Sequence, residues 1–175
     1  GELYVGAGGC EKASPNVVPE IRLGGGLLGA KADWSTSVPV TLAGLNTSVI
    51  KTANANGDPF NITLSGSLTG TGGLDKDGTG ILTLAGGNSH AGNTTVLNGV
   101  LRVQTKTFDD AATVGVELAA GATLDLAFSS DEGVIVALAA ADVAPSGGIE
   151  LIAARGSNVE VFVDGDLLHT GTSWE

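Results

Sequence analysis

The chain has 175 residues, a formal net charge of −11, 28 glycines and only 4% aromatic residues. That length suits one domain with a real core, and the charge excludes a nucleic-acid or anionic-membrane surface, because eight scattered Lys and Arg cannot neutralise a row of phosphates. Many glycines with few rings point to thin stacked layers and frequent turns, not to a globule packed around large aromatics.

The chain opens on a strand pattern, Glu2-Leu3-Tyr4-Val5, with two apolar residues flanking one outward position. The pattern returns as Ile21/Leu23, Val40/Leu42, Ile62/Leu64, Leu82/Leu84, Leu101/Val103 and Leu124/Leu126, evenly spread along the sequence. Period-two alternation sets each pair on one face. A step of about 20 residues is one turn of a β-solenoid, whose coils bury their apolar faces only by stacking. The fold expected is therefore all-β, a right-handed parallel β-helix, with weaker strands at Ser48-Val49-Ile50, Thr95-Val96-Leu97 and Val116-Glu117-Leu118. Seven turns at the usual strand spacing would make a rod of about 30–35 Å. The outward positions Tyr4, Arg22, Thr41, Thr63, Thr83, Arg102 and Asp125 would then form one stripe with a threonine ladder at its centre, too short for an ice-binding face. A β-sandwich is the alternative, but it favours less regular spacing and more aromatics.

The solenoid reads as residues 1–126, with 127–175 as a continuation or cap. Ser130-Asp131-Glu132 before Val134 suits a short Ala-rich helix ending ahead of Pro145, while Val134-Ile135-Val136 suits a strand. Asp164-Gly165 between apolar runs is a hairpin signal. No apolar run approaches the ~20 residues of a membrane span. The chain contains no methionine and no signal peptide, which suggests a piece processed or excised from a longer protein that extends before Gly1.

From Gly70 the chain reads GTGGLDKDGTGILTLAGGNSHAGNTTVLNGVLRV. This resembles the passenger-associated transport repeat, also called the autotransporter-associated β-strand repeat. The residues that carry the resemblance are Gly72, Gly73, Leu74, Lys76, Gly78, Gly80, Leu82, Thr83, Leu84, Gly86, Asn88, Gly92, Thr94, Val96, Gly99, Leu101 and Val103. His90 departs from the pattern, which commonly has an aromatic there, usually Tyr. Ile21 to Gly26 with Asp33-Trp34-Ser35 resembles the turn that precedes such repeats, and Val163-Asp164-Gly165 with Gly171 to Trp174 resembles a terminal element. The resemblance implies a parallel β-helix, export, and a place on or outside a bacterial cell. The family motif carries no catalytic residue to transfer.

Chemistry-bearing residues are few. The histidines are His90 and His169, neither with a partner at metal-ligand spacing, and His90 lies in a loop where a solvated or capping role is expected. Cys10 has no nearby His and reads as a packed or incidental thiol, and as the one cysteine it allows no intrachain disulfide. The carboxylate pairs Asp75/Asp77, Asp109/Asp110, Asp131/Glu132 and Asp164/Asp166 are flanked by Gly, Ser or Thr, as turn residues are. A catalytic pair on a β-helix would come from successive turns beside sugar-binding rings, and Trp34 and Trp174 are far apart in sequence. Asn54 to Asp58 has oxygen ligands at alternate positions, faintly like a calcium loop, but lacks the closing Glu, and Asp75-Lys76-Asp77-Gly78 is a weaker case.

No catalytic, cofactor-binding or metal residue is therefore assigned. The expectation is a non-enzymatic structural module of a large exported surface protein, an adhesin-like stalk, whose partners are neighbouring segments of a longer polypeptide or other copies of itself stacked end to end. Contact with glycans or a host surface belongs to the same expectation, without nucleic acid, cofactor or membrane insertion. A carbohydrate-binding or polysaccharide-degrading β-helix is the alternative.

Overall fold

The computed structural model describes residues 1–11, 16, 18–104, 116–119 and 121–127, together with the backbone of strands within 134–171. All regular elements among them are strands, and the chain winds as a parallel β-solenoid with three faces.

The first face stacks β1 (Glu2–Val5), β3 (Gly26–Ala30), β6 (Ser48–Lys51), β9 (Leu74–Asp77), β11 (Thr94–Val96) and β13 (Val116–Leu118). The second has only β2 (Ile21–Leu23), β5 (Val40–Leu42) and β8 (Leu68–Gly70). The third stacks β4 (Trp34–Thr36), β7 (Ile62–Leu64), β10 (Ile81–Leu84), β12 (Val100–Val103), β14 (Thr123–Leu126) and β16 (Glu150–Ala153). Every pairing within these sheets is parallel. Six strands make five steps between coils, a stack of about 24 Å at ordinary strand spacing.

The recurrent apolar pairs are real strands, but they do not share one face. Leu3/Val5 lies on the first sheet, Ile21/Leu23 and Val40/Leu42 on the second, and the four pairs from Ile62 onward on the third. The seven expected turns thus become about five, each using more of the chain. On the first face the register joins Leu28, Ile50, Lys76, Val96 and Leu118 in one inward row. The expected single stripe divides for the same reason. Arg22, Thr41 and Thr69 line up on the second face, where the two threonine hydroxyls are 3.3 Å apart, and Thr63, Thr83, Arg102 and Asp125 line up on the third. Tyr4 stands on the first face, its ring over Gly29.

The three strands expected to be weak, near Ser48, Thr95 and Val116, are β6, β11 and β13 of the first face. They complete the apolar interior, where Leu28, Ile50, Ile62, Leu74, Leu82, Val96, Leu101 and Leu118 are almost fully buried. Each such side chain contributes roughly 1.5–3 kcal/mol relative to exposure, and no coil could obtain this alone. Leu3 shows the same fact from the other side. It shares the inward row of Leu28 yet is 60% exposed, because β1 has a coil on one side only.

Toward the other end, β15 (Val134–Leu138) is a strand, so the stretch compatible with helix or strand resolves as strand over those residues. It pairs parallel with β17 (Val159–Val163), and β17 pairs antiparallel with β18 (Asp166–Gly171). Val163 opposes Asp166, so these two strands, consecutive in the chain, pair as a hairpin.

Candidate functional site

The coil from Leu74 to Val103 concentrates the polar chemistry of the interior. Leu74-Asp75-Lys76-Asp77 forms β9, and alternation turns Leu74 and Lys76 inward and the two aspartates outward. Lys76 therefore takes an inward position between Ile50 and Val96, and its side chain is completely buried. A buried ammonium is tolerable only with its donors satisfied.

Lys76 Nζ donates to Thr52 Oγ1 at 2.8 Å, Gly80 O at 2.8 Å and Asn98 O at 2.6 Å, and also to Gly78 O. Thr52 belongs to the coil below, Gly78 and Gly80 to the same coil, and Asn98 to the coil above. Burial pushes the pKa down to about 8, with Asp77 acting the other way, so the group keeps its charge at neutral pH. Three carbonyl dipoles aimed at one nitrogen hold the proton there.

Glycine makes room for this cage. Gly99 has φ +69°, and a Cβ there would lie 2.7 Å from Lys76 Nζ and 2.6 Å from Gly78 O. A Cβ on Gly80 would strike the Phe60 carbonyl oxygen. Thr52 Oγ1 also donates to Asp77 O at 3.0 Å and Gly78 O at 3.1 Å.

The outward aspartates are engaged separately. Burial raises the Asp75 pKa, Thr95 donates to it and works the other way, and nearby Asp77 adds to the rise. Thr95 also reaches Glu117 Oε2 at 3.4 Å. At Asp77, burial works upward, but hydrogen bonds from the Asn98 amide (2.8 Å) and the Gly78 backbone, with Lys51 and Lys76, outweigh it and hold the carboxyl below its usual range. The two carboxylates thus have different hydrogen-bond partners. Asp109, Asp110, Asp131, Glu132, Asp164 and Trp174, with the side chains of Asp166 and His169, lie outside the described residues.

His90 is not solvated, contrary to the sequence expectation. It is 3% exposed, and its Nε2 is 2.9 Å from Thr94 Oγ1. The reason is register. Leu68 bridges Asn88 in parallel, and the Ser89 and Ala91 amides donate to Leu68 O and Gly70 O. Asn88 and His90 therefore continue the inward positions of Leu68 and Gly70, on the face where no further strand forms among the described residues. Burial lowers the His90 pKa. His90 Nδ1, Asn88 Nδ2 and Trp34 Nε1 find no partner among the described residues. A signal for this is present in the sequence, because Asn88-x-His90 repeats the spacing of Leu68-x-Gly70 one coil later.

The Asn54–Asp58 loop satisfies its own polar groups. Asn54 Oδ1 accepts from the Asn56 and Asp58 amides at 2.9 and 3.0 Å, and Asn54 Nδ2 donates to Asp58 Oδ2 at 2.7 Å. That is an Asx turn, closed by the Ala53–Pro59 bridge. No group of three or more His, Cys, Asp or Glu among the described residues could hold a metal ion. Half-buried Cys10 packs against the core, and burial pushes its thiol pKa up. No helix among the described residues is long and apolar enough to cross a membrane.

The family match falls on this same coil. Residues 74–103 match the family described as Passenger-associated-transport-repeat. Over 65 residues, 37% of this chain, the sequence is 43% identical to the "Adhesin BmaC autotransporter" of Brucella suis biovar 1 (strain 1330), and the match spans 2% of that protein's length. No solved structure matches the chain. The coil built around Lys76, from Leu74 to Val103, thus matches the passenger-associated transport repeat that its residues resemble.

Proposed function

We propose that this chain is a non-catalytic structural stretch of solenoid from a large exported bacterial surface protein, an adhesin-like stalk. The observation that supports this best is the use made of the repeat. Its distinctive residues, Lys76 with Gly78, Gly80 and Gly99, serve to join coils rather than to line a cleft. The likeness to an autotransporter adhesin supports export and surface exposure. The partners in this reading are neighbouring coils of the same polypeptide, or further copies meeting the open edge at β1, where Leu3 is exposed. Glycans or a host surface would be met elsewhere in the full protein.

The test is surface display. The chain, fused between a secretion signal and an outer-membrane anchor, should reach the cell surface folded and resist added protease, and purified chain should degrade no polysaccharide. Intracellular retention of the folded fusion, or turnover of any tested polysaccharide, would overturn the reading. Sedimentation over a range of concentrations tests copy-to-copy stacking, for which a strict monomer is the contrary result.

A further inference from the structure

We infer that Asn98–Gly99 is a self-modification site, at which the folded coil promotes conversion of Asn98 to aspartate and isoaspartate. Asn98 is exposed and sits at the corner between β11 and β12, followed by a glycine with no side chain to obstruct ring closure. The reaction needs the Gly99 amide nitrogen to lose its proton and attack the Asn98 side-chain carbonyl carbon. One C–N bond forms as the bond to the side-chain nitrogen breaks, and ammonia leaves with the transferred proton. Water then opens the resulting five-membered imide at either carbonyl, giving aspartate or isoaspartate.

Two contacts bear on these steps. Lys76 Nζ donates to Asn98 O at 2.6 Å, the carbonyl of the same peptide whose nitrogen attacks. A cation on an amide oxygen draws electron density from the nitrogen and acidifies its N–H, which favours formation of the nucleophile. The Asn98 side-chain amide is meanwhile fixed by its 2.8 Å bond to Asp77 Oδ1 rather than free to rotate. The Gly99 N–H is engaged by no acceptor among the described residues.

The chain supplies its own comparison. Asn56–Gly57 is the other exposed Asn-Gly pair in the described region, in the loop at Asn54–Asp58. There the Gly57 N–H donates to Asn54 O at 3.1 Å, and no cation touches the Asn56 carbonyl. Both pairs share the Asn-Gly step that dominates the intrinsic rate, and the unfolded chain reports what remains from their different flanking residues, so the native excess over it comes from the fold.

The product would act on the coil junction. A carboxylate at 98 replaces a hydrogen-bond donor facing Asp77 with a like charge, and isoaspartate inserts a methylene into the backbone that presents the carbonyl to Lys76. The modification therefore loosens the clip between this coil and the next with time after folding.

The experiment is peptide mapping with isoaspartate detection on the purified chain, aged natively and, in parallel, in concentrated urea. Conversion at Asn98 should outrun that at Asn56 severalfold in the native sample, and the two should converge in urea. Conversion at Asn98 no faster than at Asn56 in the native chain, or a ratio unchanged by unfolding, would overturn the inference. The Asn98→Asp variant reads the consequence separately: it should melt below the parent at neutral pH, with the gap closing in acid as the paired carboxylates protonate, and an unaltered melting temperature would remove the proposed effect on the coil junction.

Discussion

Lys76 and Asn98 meet across a coil boundary, the ammonium of one donating to the main-chain carbonyl of the other at 2.6 Å, and the same nitrogen reaches Thr52 Oγ1 in the opposite direction at 2.8 Å. One side chain thus ties three successive coils, in a row otherwise filled by Leu28, Ile50, Val96 and Leu118. Replacing Lys76 with Met keeps the apolar stem but removes the charged donor shared by Thr52 Oγ1 and the Gly78, Gly80 and Asn98 carbonyls, although Thr52 Oγ1 still donates to Gly78 O and the Val100 amide to Gly80 O. Hydrogen bonds from a charged group contribute about 1.5–3 kcal/mol each, and with part of the cage re-satisfied Lys76→Met should destabilise by roughly 2–4 kcal/mol in urea unfolding. A loss below about 1 kcal/mol would show that the cage is not what joins the coils.

His90 predicts an acid dependence. Its folded pKa lies below the usual 6.5 because burial disfavours the charged ring. As pH falls through 6.5 the unfolded chain takes up a proton that the folded chain refuses, so stability is lost with falling pH from that point down to the folded pKa. The slope approaches about 1.4 kcal/mol per pH unit. In the His90→Phe variant this component should vanish, although the bond to Thr94 is lost as well. Urea midpoints for the parent and variant, compared at neutral and mildly acidic pH, decide it, and parallel curves would count against the buried neutral ring.

Arg102 Nε and Asp125 Oδ2 are 2.6 Å apart on the third face, with the Arg side chain 36% and the Asp side chain 9% exposed. The carboxylate is the more sheltered partner, so losing the arginine should matter more than a surface ion pair would. Arg102→Met is expected to destabilise by about 2–3 kcal/mol, and adding Asp125→Leu should recover most of that. If the double variant is no better than the single, the shelter of Asp125 is not the cause.

Glycines separate steric need from conformational need. A Cβ at Gly92 would run into the Gly72 carbonyl group, so Gly92→Ala forces two coils apart and should cost about 2–4 kcal/mol. Gly44 has φ +81° but open space around it, so Gly44→Ala should cost only about 1–2 kcal/mol. Thermal melts of the two variants should rank in that order. The reverse ranking would mean that stacking distance is not the constraint.

Much of the fold can be read from the sequence, because period-two pairs such as Ile62/Leu64 and Leu82/Leu84 are local signals that survive any arrangement of coils. Which face each pair joins is not local. Leu42 and Ile62 look like successive rungs but stand on different sheets, and only the pairing of Leu42 with Gly70 reveals it. The repeat is recognisable from its glycines and strand pairs, yet the work of Lys76 is hidden, since a charged residue in an L-x-L position looks outward until its acceptors from two other coils are known. His90 misleads for a similar reason: its loop-like surroundings, rich in Gly, Asn and Ser, conceal an inward step aligned with Gly70.

The loop from Asn54 to Asp58 shows where this architecture tolerates variation. The step from Ile50 to Lys76 is longer than the step from Lys76 to Val96, yet both keep the inward row in register. The surplus is gathered outside the Ala53–Pro59 bridge, where residues 55–58 are exposed. A foreign peptide grafted between Asn56 and Gly57 would hang from a closed neck, presented to solvent without disturbing a single rung. The corner would thereby make a display port, at which such a solenoid can change what it shows without changing how it stands.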